Sequence, residues 1–180
     1  MVERDIIMHT YTYQLPAVKG SKEHIHIFSE ENQVIYTTYR KYKSILQEFI
    51  DAWIDEFRLY CEFEGIDSSG NVVATSHKKH YFSKRSKSVL TINKETYYAE
   101  TVGIDAITPT YKIIGLDLQM KTTINEKRLV RFYENEEVVA NIQLSFSNRR
   151  RCILEIEEVA TIQHPLFYVI SAQMFYFIGE

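Results

Sequence analysis

The stretch from His164 to Glu180 constrains the fold of this chain more than any other. Read as a helix, it presents Leu166, Phe167, Tyr168, Val169, Ile170, Met174, Phe175, Tyr176, Phe177 and Ile178 on every side, interrupted only by Ser171, Ala172 and Gln173. A helix without a polar face must be surrounded. About 14 residues at a rise of about 1.5 Å reach only about 20 Å, short of a hydrocarbon core of about 30 Å, so the surroundings must be protein rather than lipid. Nearly everything before His164 has the character of β-strand. The arrangement that satisfies both facts is a β-barrel or strongly curled sheet closed around a central C-terminal helix.

A length of 180 residues with 45% hydrophobic content furnishes one sizeable core, and residues 1–180 are expected to form a single domain. The formal net charge of −3 gives no global attraction to nucleic acid or to an anionic membrane, so either contact would need a local basic patch. Cys61 and Cys152 are far apart and form no CxxC pair, and Met1-Val2-Glu3-Arg4-Asp5 lacks the basic and apolar regions of a signal peptide, which points to a reducing cytoplasm. With 13 Tyr and 10 Phe against 6 Gly and 3 Pro, the chain is strand-forming and leaves little room for a flexible linker.

Strands are expected over Ile6–Leu15, His24–Phe28 and Val34–Lys41, the last two joined by the polar turn Ser29-Glu30-Glu31-Asn32. One amphipathic helix follows near 44–57. Ile45, Leu46, Phe49, Ile50, Trp53, Ile54 and Phe57 share a stripe opposite Gln47, Glu48, Asp51, Asp55 and Glu56, and Ser44 with Gln47 has capping-box spacing. From Arg58 the period returns to two, with Leu59, Cys61 and Phe63 on one face. The loop Asp67-Ser68-Ser69-Gly70-Asn71 leads into Val72–His77. Val89–Ile92 and Thr96–Val102 pair across Asn93-Lys94-Glu95, and Tyr111–Gly115, Leu116–Thr122, Lys127–Tyr133, Val138–Phe146 and Cys152–Val159 supply the later strands. A dozen or so short strands at near-regular spacing fit a closed or nearly closed barrel, since closure removes unpaired edges.

The order of hairpins, the run Phe63-Glu64-Gly65-Ile66-Asp67-Ser68-Ser69-Gly70-Asn71-Val72-Val73, and His164-Pro165 followed by an apolar helix resemble the tubby C-terminal-like superfamily, in its LURP-one-related branch. The resemblance implies a mainly β fold with added α: a barrel of about twelve strands wound around a hydrophobic C-terminal helix. The helix near 44–57 looks like an insertion. Tubby proteins bind phosphoinositide headgroups through basic surface residues, and phospholipid scramblases, more distant relatives, associate with membranes; no lipid-contacting residue of tubby aligns with a position here. Scramblase-like cysteine clusters and a spanning helix are missing.

The candidate anion or lipid site is the segment His77-Lys78-Lys79-His80-Tyr81-Phe82-Ser83-Lys84-Arg85-Ser86-Lys87. Lys78, Lys79, Lys84, Arg85 and Lys87 would face an anionic surface, each contributing about 1 kcal/mol, with Tyr81 and Phe82 at the headgroup boundary. The plainer reading is a solvated loop or a lysine-blocked strand edge. Arg149-Arg150-Arg151 adds to the patch if the fold brings the two together. On the amphipathic helix, Phe49, Trp53 and Phe57 close a barrel mouth or dock on a partner, including a second copy of the chain; insertion into a membrane surface is the least favoured alternative, because the polar face is acidic where an interfacial helix prefers Lys and Arg. His24 with His26 and His77 with His80 are read as surface histidines rather than metal ligands, since no cysteine or carboxylate stands at ligand spacing. His164 precedes a proline suited to the first helical position and caps the helix entrance.

No nucleophile elbow, Walker loop, zinc-protease motif or dinucleotide fingerprint is present, and Glu155, Glu157 and Glu158 read as an outward strand face. No catalytic residue, metal or cofactor is assigned. A barrel filled by its own helix has no lipocalin-type cavity, so function belongs to the outside or the rims. The chain is therefore read as a cytoplasmic, non-catalytic binding or scaffolding module. Its expected partner is an anionic membrane surface, with a protein-interaction role through the amphipathic helix as the alternative; no nucleic acid is expected, and an enzyme with an unrecognised rim site is the remote third case.

Overall fold

The computed structural model describes residues 7–17, 21–53, 62–79, 87–102, 110–116, 118–122, 129–145 and 150–175. In chain order these form β1 (Met8–Gln14), β2 (Ile25–Phe28), β3 (Val34–Lys41), α1 (Ile45–Trp53), β4 (Glu62–Asp67), β5 (Val72–Lys79), β6 (Lys87–Ile92), β7 (Glu95–Val102), β8 (Thr110–Ile114), β9 (Leu118–Thr122), β10 (Leu129–Glu134), β11 (Glu137–Leu144), β12 (Arg151–Glu157) and α2 (Pro165–Phe175). Each strand pairs with the next in sequence, and β1 pairs with β12 from Met8↔Glu157 to Gln14↔Arg151, closing an antiparallel barrel. An even strand number is what lets such a meander close with every pair antiparallel.

Alternation decides what faces inward. On β12, Cys152, Leu154 and Ile156 are fully buried between the half-buried Ile153, Glu155 and Glu157; on β6, Ser88, Leu90 and Ile92 are buried. These side chains meet α2, in which every residue from Leu166 to Met174 is at most 2% exposed. The helix that had to be surrounded is the plug of the barrel. Tyr168 packs edge-on against Phe132, with ring centroids 4.8 Å apart, and donates its hydroxyl to the Ile162 carbonyl at 2.5 Å. Gly65 marks the closest approach of the wall: a Cβ there would lie 2.9 Å from Leu166 Cδ1 and 3.0 Å from Ala74 Cβ.

Because the strands alternate in direction, successive connections fall at opposite ends. One end, here the tight end, carries the short turns. Asn93 and Lys94, and Asn135 and Glu136, have positive φ, the backbone of a two-residue hairpin turn that asparagine tolerates well. In the β4–β5 turn, Asp67 Oδ1 accepts from the N–H groups of Ser69 and Asn71 at 2.9 Å each, and Gly70 supplies φ +84°. The D-x-x-G-N run is thus a self-bonded turn, and the Asn71 side-chain amide, donating to Asp67 Oδ2 at 3.1 Å, is first among the bonds that hold the Asp67 carboxyl below its ordinary value. The chain enters α2 at this end too. The other end, the wide end, carries the longer connections, α1, and the C-terminal end of α2.

Two details differ from the sequence reading. Strands β5 and β6 extend into the basic segment, pairing through Lys78↔Ser88 and Lys79↔Lys87, because the hairpin register carries on beyond its apolar residues. Ser44 accepts from the Gln47 N–H at 3.3 Å as expected, but Gln47 reaches back to the Lys43 N–H, at 2.8 Å, one residue before the cap.

Candidate functional site

Of the five cations proposed as an anion site, Lys78 and Lys87 have described side chains, and these two are turned differently. Lys78 stands in register with Ser88, which is 2% exposed, so the half-buried Lys78 is turned toward the barrel mouth while Lys87 is exposed. Lys79 pairs with Lys87 in register; Lys84 and Arg85 lie outside the described residues. Arg40 follows the same inward alternation on β3: it is 6% exposed, donates to the Tyr42 hydroxyl at 3.1 Å and sits 5.4 Å from the Phe63 ring centroid. Two cations therefore face inward at the end where α2 terminates, which is where a helix dipole favours positive charge.

Around the same rim, Lys43 Nζ lies 3.0 Å from Glu62 and His77 Nδ1 lies 2.6 Å from the same carboxylate oxygen. Burial pushes the Glu62 carboxyl up, but these two hydrogen bonds outweigh it and leave the group below its ordinary value. Lys41 contacts Glu64 at 2.6 Å, and Tyr39 donates to the same carboxylate; together, Lys41 first, they hold Glu64 ionised below the usual range. Arg150 and Arg151 are exposed at the start of β12, also at the wide end.

The described part of the α1 stripe, Ile45, Leu46 and Phe49, faces outward. Ile45 is 83% exposed, Leu46 66% and Phe49 57%, whereas Gln47 and Glu48 are half-buried and Glu48 is tied to Lys22 at 2.5 Å. The ion pair to Lys22 ties the polar side of the helix to the segment before β2, and Ile45, Leu46 and Phe49 remain more than half exposed. The side chain of Trp53 and all of Phe57 lie outside the described residues.

The tight end has the opposite charge. Its turns and strand ends hold Glu30, Glu31, Asp67, Glu95, Glu134, Glu136, Glu137, Glu157 and Glu158, and among the described residues of these turns Lys94 is the only lysine or arginine. A cleft of about 530 Å³ opens here, lined by Tyr11, Tyr36, Tyr97, Glu95, Gln163 and His164 among others. Tyr36 and His164 stack with centroids 4.7 Å apart, and burial lowers the His164 pKa.

An antiparallel barrel threaded by its own apolar C-terminal helix is the architecture that the sequence resemblance implied. The Tubby C-terminal like domain family matches residues 11–178. The chain belongs to that family. The match is to the domain as a whole rather than to its LURP-one-related branch, and no curated protein or solved structure gives a significant match. Membership in the Tubby C-terminal like family places the protein among binding and scaffolding modules.

In this tubby-type barrel the histidines have ordinary employment. His26 Nδ1 is 2.9 Å from the Thr37 hydroxyl, His24 stacks on Tyr39, and His77 bonds Glu62; His80 lies outside the described residues. No group of three possible metal ligands occurs among the described residues, nor is any described helix long and apolar enough to cross a membrane. His164 does hold the helix entrance, but through its carbonyl, which accepts from the Phe167 N–H at 3.0 Å. Sequence reasoning passed over Arg40 and the tyrosines of the cleft. A signal for Arg40 was present, since it falls two residues after Thr38 on the inward face of β3.

Proposed function

We propose that this protein is a non-catalytic peripheral module of the cytoplasm that docks its wide end on an anionic membrane surface, phosphoinositide-bearing surfaces included. The observation that carries this reading is the contrast between the ends of the barrel: the tight end is acidic, while the wide end sets the exposed Ile45, Leu46 and Phe49 beside cations, of which Lys22, Lys43 and Lys41 are paired with Glu48, Glu62 and Glu64 and Lys87, Arg150 and Arg151 are exposed. A membrane interface rewards that combination, because cations gain about 1 kcal/mol each near anionic headgroups while Ile45, Leu46 and Phe49 leave water, at about 25 cal/mol per Å² of apolar surface removed. Within a Debye length of about 8 Å at physiological salt, only the facing rim contributes, so the acidic end does not cancel it.

Flotation with neutral and anionic liposomes at low and moderate salt tests the reading. Binding is expected only to anionic vesicles, weakening with salt, and reduced both by changing Lys78, Lys79, Lys84, Arg85 and Lys87 to Gln and by Ile45→Ser with Phe49→Ser. Absence of flotation on every vesicle would overturn it. The exposed Phe49 then supports the second reading, a self-associating or partner-binding module, for which light scattering should report a dimer that Phe49→Ser converts to monomer.

A further inference from the structure

The cleft at the tight end is independent of the wide end and of any membrane. It is lined by Tyr11, Tyr36 and Tyr97 and by the segment leading into α2. Tyr97 donates to Glu95 Oε2 at 2.6 Å, fixing a carboxylate beside an aromatic ring. The buried Nδ1 of His164 has no protein hydrogen-bond partner.

Charge decides what such a cleft accepts. None of its lining residues is a lysine or arginine. Lys94, on the adjoining turn, lines a separate outer depression with Val72 and Thr75. Burial keeps Tyr11, Tyr36 and Tyr97 protonated above their ordinary range, and nearby carboxylates add to this: Glu30 for Tyr11, Asp67 for Tyr36 and Glu95 for Tyr97. The start of α2 is poorly equipped to hold an anion. Pro165 has no N–H, and the Phe167 N–H is turned back to the His164 carbonyl. Negative field, an aromatic lining and a carboxylate set against a ring are what an alkylated ammonium requires, since its weakly hydrated charge is attracted to ring faces within about 6 Å.

We infer that the cleft between Tyr11, Tyr36, Tyr97 and His164 is a binding site for an alkylammonium cation. The ammonium lies among the tyrosines beside Glu95. Such ligands include hydroxyalkyl quaternary amines, whether free or as part of a larger molecule.

The test is an amide-resolved NMR titration of the intact protein with choline, with its uncharged isostere 3,3-dimethylbutan-1-ol, and with inorganic phosphate. Choline is expected to shift amides around residues 93–97 and 161–166 in a saturable way, with the isostere binding more weakly. Glu95→Gln and Tyr36→Leu should each weaken choline by about 2- to 30-fold, the range of a cation–π contribution. If Tyr36→Leu does not fold, Glu95→Gln, at an exposed position, and the isostere comparison decide alone. Equal binding of choline and the isostere, no saturable shift with choline, or saturable phosphate binding in the cleft would overturn the proposal.

Discussion

Replacing Gly65 with alanine probes the contact on which the whole architecture depends, that of the barrel wall with its plug. Gly65 stands in register with Thr38 on β3 and Ala74 on β5. A methyl there would meet Leu166 Cδ1 at 2.9 Å, Cδ2 at 3.2 Å and Ala74 Cβ at 3.0 Å, all inside the optimum of about 3.5–4.0 Å for carbon pairs. Leu166 is 0% exposed and cannot swing into solvent, so the strain must go into the wall or the helix. Overpacking of this kind costs about 1–3 kcal/mol, offset by about 0.5–1 kcal/mol from removing glycine's freedom in the unfolded chain. The net is a loss of up to about 2.5 kcal/mol, which for a chain of this length lowers Tm by up to about 10 °C. Urea and thermal unfolding of Gly65→Ala, Leu166→Ala and the double variant measure it. Leu166→Ala alone should cost about 2–5 kcal/mol, and in that background the added methyl should cost little or stabilise, giving a coupling of about 0.5–3 kcal/mol. An alanine as stable as the parent, together with strict additivity, would refute the packing of Leu166 against Gly65.

Tyr168→Phe keeps the edge-on packing against Phe132 but leaves the Ile162 carbonyl without its donor, so chemical denaturation should report a loss of about 1–3 kcal/mol. Because Lys41 and Tyr39 depress the Glu64 pKa, its contribution to stability is full above the ordinary carboxylate value of about 4.3 and is lost as pH falls below it; Glu64→Gln should flatten that part of the stability–pH curve. Ile45→Ser with Phe49→Ser should leave Tm nearly unchanged, within the roughly ±0.5 kcal/mol usual for surface changes, since both side chains are more than half exposed. A large drop in Tm would mean that the stripe is packed.

Most of the barrel was legible in the chain because alternation is a local signal. Leu154 and Ile156 announce a buried face on β12 without reference to any other strand, and an apolar helix at Leu166–Met174 announces that something must enclose it. What local patterns do not carry is the identity of neighbours across the barrel. The run from His77 to Lys87 looks like one uninterrupted patch in sequence, yet strand alternation turns Lys78 toward the mouth and leaves Lys87 outside. The stripe of α1 has the period of a core-facing helix, and only the folded structure, with Glu48 tied to Lys22, reveals that Ile45, Leu46 and Phe49 face outward. The cleft tyrosines come from β1, β3 and β7, strands distant in sequence, and no spacing rule brings them together.

A net charge of −3 conceals the distribution that matters most for function. In a closed meander each connection belongs to one of two ends, and membership alternates along the chain, so charge can be sorted by counting strands. Glu30, Asp67, Glu95, Glu136 and Glu158 fall at or beside alternate connections and therefore collect at the tight end, although they are spread over most of the sequence. The lysines of β5 and β6 and the arginines before β12 fall on the complementary set. The separation spans the length of the barrel, so a nearby anionic surface would orient the protein before any contact forms, attracting one rim while repelling the other. Adding charge to the two ends distinguishes this from a patch acting alone. Glu136→Lys and Glu137→Lys together raise the net charge by four, and under the oriented-docking argument they should hardly strengthen binding to anionic vesicles, because the tight end points away. Vesicle affinity that rose steeply with those two changes would show that overall charge, not its placement, governs the encounter.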